Sequence, residues 1–169
     1  MKKHLVRIYY GEGRGKSTCA IGRALVCASE GREVFVIQFL KGRMTGKLDY
    51  YKNLEPDIKV FRFEREKGYY ENLPEQSRKE EAINIRNGVN FARKVLRIGE
   101  CDVLVLDEIL GLADLGIISC QDIIDIIRSN NSHAELILTG RNLPPELADY
   151  ADYICRFDVV KDTEADMED

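Results

Sequence analysis

Hydrophobic residues in this chain follow two spacings that alternate from one end to the other. Short, near-continuous apolar runs occupy His4–Tyr10, Glu33–Phe39, Asp102–Leu106 and Ala134–Leu138. Runs of this length, rich in Val, Ile and Leu, predict strands covered on both faces. Ile58–Phe63 alternates well enough for a further strand, and Tyr153–Phe157 closes the series. Between these runs the spacing becomes helical. Thr18–Ser29 carries one helical pattern, and Ala82, Ile85, Val89, Ala92 and Leu96 step by three and four within residues 74–98. Arg78, Lys79, Glu80 and Glu81 read as the solvated side of that second helix. Ser119 with Asp122 resembles a capping box ahead of Ile123, Ile124 and Ile127, and a short helix is expected over Pro145–Tyr150. Repeated β–α units imply right-handed crossovers and a mostly parallel sheet between two helical layers. The class is α/β, three-layer, and ligands of such folds sit at the carboxyl ends of the strands.

Composition narrows the function. The 169 residues suit one domain over residues 1–161, followed by an acidic, solvated tail at 162–169. A net charge of −4 speaks against a dedicated nucleic-acid binder. No apolar run approaches the ~20 residues of a membrane span. Met1-Lys2-Lys3-His4 leads straight into the first strand, so no signal peptide is expected. The five cysteines include no C-x-x-C pair, and only His4 and His133 accompany them. That excludes a zinc-type cluster and predicts reduced thiols in a cytoplasmic protein.

Chemistry concentrates where strands end. Gly11-Glu12-Gly13-Arg14-Gly15-Lys16-Ser17-Thr18 joins the first strand to the first helix. A strand, a glycine-rich turn and a helix opening on Lys-Ser make a phosphate-binding loop (P-loop). Glycine tolerates the φ/ψ values that turn successive N–H groups inward, and the helix N-terminus adds partial positive charge. Lys16 supplies a full charge to phosphate oxygens, and Ser17 a hydroxyl suited to Mg²⁺. The loop departs from the strict pattern at Tyr10, where a glycine is expected; three alternating glycines supply the freedom instead. Asp107-Glu108 ends an apolar strand, where a P-loop protein places its second acidic element. Of the two, Glu108 reads as the metal-facing carboxylate opposite Ser17, with Asp107 as its neighbour. Lys41 and Arg141 also follow strands and are candidates for phosphate charge, Arg141 through its bidentate fork. Tyr69 and Tyr70 form an aromatic turn suited either to stacking on a flat ligand or to covering a core edge.

These motifs together resemble the P-loop corrinoid adenosyltransferases, which act on cob(I)alamin or cob(I)yrinic acid a,c-diamide. That family's loop has the form Gly-x-Gly-x-Gly-Lys-[Ser/Thr]-[Ser/Thr], with no glycine at the position of Tyr10. Val36-Ile37-Gln38-Phe39-Leu40-Lys41-Gly42 is similar to its second-strand motif and Val105-Leu106-Asp107-Glu108 to its acidic motif. Leu138-Thr139-Gly140-Arg141-Asn142 and Leu147-Ala148-Asp149-Tyr150-Ala151-Asp152 are similar to its late elements. Order and spacing agree from about residue 5 to residue 161. The resemblance implies a RecA-like P-loop fold in which a Co(I) corrinoid attacks the 5′ carbon of ATP and triphosphate leaves intact. It implies Lys16, Glu108 and Arg141 as catalytic groups, with Mg²⁺ on Ser17 and Glu108. Residues 11–18, Lys41 and Tyr69 would bind the substrates, Tyr69 against the corrinoid's lower face. Glu71 stands near the place of a second aromatic in the family's loop. A flavoprotein reductant and a homodimer belong to the same expectation.

The P-loop alone leaves the reacting bond open. A kinase or RecA-like ATPase would break the β–γ bond and release ADP. A thymidine-kinase-like version is weakened by the missing zinc cysteines. A nucleotide- or corrinoid-binding sensor without turnover is the non-enzymatic alternative.

Overall fold

Val6–Tyr10 forms β1, and the P-loop carries the chain into α1, Lys16–Ser29. Then follow β2 (Val34–Gln38), β3 (Ile58–Arg62), α2 (Glu75–Ile98) and β4 (Val103–Asp107). The chain continues through α3 (Ile109–Asp114), α4 (Cys120–Arg128), β5 (Glu135–Gly140) and β6 (Tyr153–Arg156). The computed structural model describes residues 5–41, 53–54, 57–66 and 68–163. His4, Gly42 and residues 164–169 of the acidic tail lie outside the described residues.

The six strands make one sheet in the order β3-β2-β4-β5-β1-β6, and every pairing is parallel. Strand alternation splits the core in two. Val34, Val36, Val103, Val105 and Ile137 face α1 through Ala20, Ile21, Ala24 and Cys27. Phe35, Ile37, Leu104, Leu106, Leu136 and Leu138 face α2, α3 and α4. Each fully buried Ile, Leu or Val contributes about 1.5–3 kcal/mol by leaving water. Both faces are therefore strongly specified, and with them the end of each strand.

Several elements differ from the expectations. Helix α3 is new, and β4 runs one residue further than expected, to Asp107. Pro145–Tyr150 is a 3₁₀ helix. The capping box at Ser119 and Asp122 is present in both directions. Glu81 is not solvated: it is 2% exposed and accepts the Arg65 N–H on both carboxylate oxygens, each at 3.0 Å. All five cysteines are free thiols, and burial pushes Cys101 up to about 12.

Candidate functional site at the carboxyl edge of the sheet

The P-loop is fastened to the end of the sheet by its own backbone. Gly11 donates to the Arg141 carbonyl at 2.9 Å, and Gly13 to the Phe157 carbonyl at 2.9 Å. A Cβ on Gly11 would collide with the Phe157 carbonyl, and the φ of 121° there is one only glycine adopts readily. These two amides are spent on the frame. The N–H groups opening α1, whose N-cap, Gly15, contributes no capping side chain, are among those left for an anion. Lys16 lies across the loop, its Nζ donating to the Gly13 carbonyl at 2.8 Å.

Beneath that helix end the α1 face of the sheet turns polar. Strand alternation continues Val34-Val36 to Gln38, Val103-Val105 to Asp107 and Ile137 to Thr139 on three adjacent strands. Asp107 is fully buried. Its Oδ1 accepts from Ser17 Oγ at 2.7 Å and from Thr139 Oγ1 at 2.7 Å. Lys41 Nζ stands 3.4 Å from Asp107 Oδ2 and donates to Ser17 Oγ at 3.1 Å. Gln38 Nε2 lies 3.5 Å from the same Oδ2, and Arg62 Nε donates to Gln38 Oε1 at 2.7 Å. The row therefore spans four strands, β3 to β5.

Glu108 stands beside Asp107, within the field of Lys41, Lys16 and Arg141. The carboxylate facing Ser17 is Asp107, because β4 ends on it with the parity that points at α1. Glu108 is the N-cap of α3, in the left-handed region at φ 64°, with its N–H donating to Thr139 Oγ1 at 2.8 Å. Burial, with the Asp107 charge beside it, raises the Glu108 carboxyl above the usual range, while Lys41, Lys16 and Arg141 pull it back. Arg141 and Glu12 form an ion pair at 3.4 Å, both exposed at the mouth of the site. Arg14 and Thr18 are exposed at the same loop. Tyr69 is 64% exposed, whereas Tyr70 packs against the core.

A family profile described as "ATP:corrinoid adenosyltransferase BtuR/CobO/CobP" matches residues 2–167. The chain belongs to the ATP:corrinoid adenosyltransferase family. It is 25% identical over 160 residues to the corrinoid adenosyltransferase CobA of Salmonella typhimurium, covering 95% of this chain and 79% of that one. The corrinoid adenosyltransferase of Escherichia coli K12 is 23% identical over the same shares. An uncharacterized protein of Nostoc, all2391, is 28% identical over 87% of this chain, which spans 42% of that protein's length. Membership fits the fold: an α/β P-loop sheet with the glycine loop and the acidic strand at one edge.

Gln38 and Thr139 are site residues that the sequence reading passed over. Their signal is a polar residue ending an otherwise apolar α1-side stripe. It is usable only once the strands bordering β4 are known.

Proposed function

We propose that this protein transfers the 5′-deoxyadenosyl group of ATP to a Co(I) corrinoid and releases triphosphate. One observation carries the reading: the fixed row of hydrogen bonds around Asp107 beneath the uncapped N-terminus of α1. Such an arrangement stabilises charge; it does not activate a nucleophile. That suits a reaction in which Co(I) is itself the nucleophile and charge gathers on the departing triphosphate. Family membership favours this reading over the kinase and sensor alternatives.

The residues present fit a Mg²⁺ ion. The Ser17 hydroxyl and the Glu108 carboxylate would supply hard oxygen donors, with the buried Asp107 carboxylate, bonded to Ser17, beside them. When bound there, Mg²⁺ would neutralise phosphate charge as a Lewis acid. The chain's own groups do the rest. The amides of α1 orient the phosphates, Lys16 leaves the Gly13 carbonyl for them, and Lys41 holds the Ser17 hydroxyl in place. Arg141, released from Glu12, closes on the outermost charge. Tyr69 offers an exposed ring to the flat lower face of a corrinoid. A flavoprotein reductant, a second copy of the chain and a cytoplasmic setting complete the reading; they are supported by the resemblance. No helix among the described residues is long and apolar enough to cross a membrane.

The test is anaerobic. The protein mixed with chemically reduced corrinoid and Mg-ATP is expected to consume the Co(I) spectrum and yield intact triphosphate. Lys16→Ala is expected to abolish transfer with the fold retained. Release of ADP, or near-wild-type turnover by Lys16→Ala, overturns the reading.

A further inference from the structure

Lys41 reaches Ser17 only because the chain turns sharply just before it. Phe39 is still paired to β4, its N–H donating to the Asp107 carbonyl at 2.9 Å. Leu40 then adopts φ 59°, in the left-handed region. That conformation places Cβ against the backbone, so a non-glycine residue keeps it only where its surroundings impose it. Two contacts do so here. The Leu40 side chain lies on α3, with Cδ1 2.8 Å from where a Cβ on Gly111 would stand, so the two are closely packed. The Leu40 N–H donates to Glu64 Oε1 at 2.6 Å.

Glu64 is itself held in place. It follows β3 by two residues, and the next amide, that of Arg65, is gripped by the buried Glu81 carboxylate. Asn84 donates to that same carboxylate at 2.7 Å. Leu40, Glu64, Gly68, Tyr70, Leu73 and Glu81 line a small, partly open cavity of about 10 Å³. A space of that size holds at most one water, and at 2.6 Å the Glu64–Leu40 bond is direct. Burial raises the Glu64 carboxyl while the Leu40 N–H opposes this. In either protonation state one oxygen remains to accept.

We propose that Glu64 is a positioning residue for the nucleotide site: it fixes the left-handed turn at Leu40 and so aims Lys41 at Ser17 and Asp107. The proposal rests on the reading that this site takes a nucleotide, and it adds a residue about two strands away that touches neither phosphate nor metal. Its requirement is an acceptor atom and not a charge.

Mg-ATP affinity of the full chain, measured by calorimetry without corrinoid, tests this. Glu64→Leu is expected to weaken binding about 10-fold, the loss of one buried acceptor transmitted to Lys41. Glu64→Gln, which keeps an oxygen at the same reach, is expected to lose less than about 3-fold. In a Lys41→Ala background, Glu64→Leu is expected to add no more than about 2-fold, because the two changes act through one contact. Wild-type affinity in Glu64→Leu, equal losses in Gln and Leu, or additive losses in the double variant overturns the proposal. If Glu64→Leu does not fold, Glu64→Ala replaces it; if neither folds, Glu64 serves the fold and the proposal falls. Because binding is read without corrinoid, missing adenosyl transfer in the wild type would count against the proposed reaction alone. Additive losses beside intact transfer would count against Glu64 alone.

Discussion

Asp107 and Glu135 are two carboxylates on neighbouring central strands, on the same face and under the same helix, yet their surroundings are opposite in kind. Asp107 ends β4 at the carboxyl edge; Glu135 begins β5 at the amino edge, and it is 4% exposed. Glu135 accepts from Arg7 Nε at 2.8 Å, from Arg23 twice at 2.9 Å and from Arg32 at 2.9 Å. Burial alone would raise its carboxyl, but the bonds from Arg23, Arg32 and Arg7 outweigh that and hold it near 2. Asp107 is surrounded instead by two hydroxyls, an amide and one lysine at 3.4 Å. Helix α1 spans the pair, with Ser17 over the first and Arg23 over the second. A buried carboxylate matched by permanent cations has no capacity left for a ligand. One held mainly by hydroxyls and an amide, with a single lysine at 3.4 Å, beneath an open helix end keeps capacity for a cation shared with phosphates.

The largest expected effect separates the two ends by function. Asp107→Asn keeps the shape and the acceptor oxygen but removes the charge. It should lower kcat/KM for adenosyl transfer by about 10–100-fold, in the range seen when a group that orients a metal site is lost. The Tm of the free protein should hold or rise, since a buried charge has gone. Unfolding of this variant at lower temperature than wild type would place Asp107 with the structural carboxylate.

Glu135→Gln should do the reverse. Leaving three arginines around a neutral amide removes one partner of a buried pair, which costs about 3 kcal/mol, or about 6–12 °C in Tm at this chain length. Transfer measured well below the Tm should stay within about 2-fold, since the substitution leaves the carboxyl edge intact. Acid sharpens the same contrast. The native Glu135 carboxyl lies below its unfolded value, so its contribution is complete above about pH 4.5 and is lost as pH falls toward about 2. Wild-type and Glu135→Gln melting curves, collected from neutral to acid pH, should therefore converge across that window. A gap that persists at its bottom would mean packing, and not charge, accounts for the difference.

The two ends were unequally legible in the sequence. The P-loop and the strands β1, β2, β4 and β5 announce themselves through glycine spacing and apolar runs fixed by burial on both faces. Helix α3 does not, because Ile109-Leu110-Gly111-Leu112 is apolar all round and too short to show a face. That Asp107 and not Glu108 bonds Ser17 has a comparable origin. Adjacent acids differ by one step of strand parity, and parity decides only when the strand's last residue and the side covered by α1 are both known. Glu81 was misread because a charge run on a helix gives no hint that one member turns inward to hold the Arg65 amide. The arginines around Glu135 come from β1, α1 and the loop after it, so no local spacing links them.

Glu108 supplies the smallest and most discriminating test, since it stands beside Asp107 without the Ser17 bond. Its carboxyl is raised, chiefly by burial and then by the Asp107 charge. A carboxyl with a raised native value binds its proton more tightly when folded, so stability falls as pH climbs from the ordinary carboxylate range through the raised one. At neutral pH the ionised group therefore opposes folding, and Glu108→Gln should raise the Tm of the metal-free protein by about 1–3 °C. The gain should vanish at pH 4 and below, where both side chains are neutral. If Glu108 also serves the nucleotide, the same variant should lose transfer while gaining stability, the trade expected of a group kept for function. A Tm gain with full activity would leave Asp107 as the acidic group of the site and reduce Glu108 to the residue that opens α3.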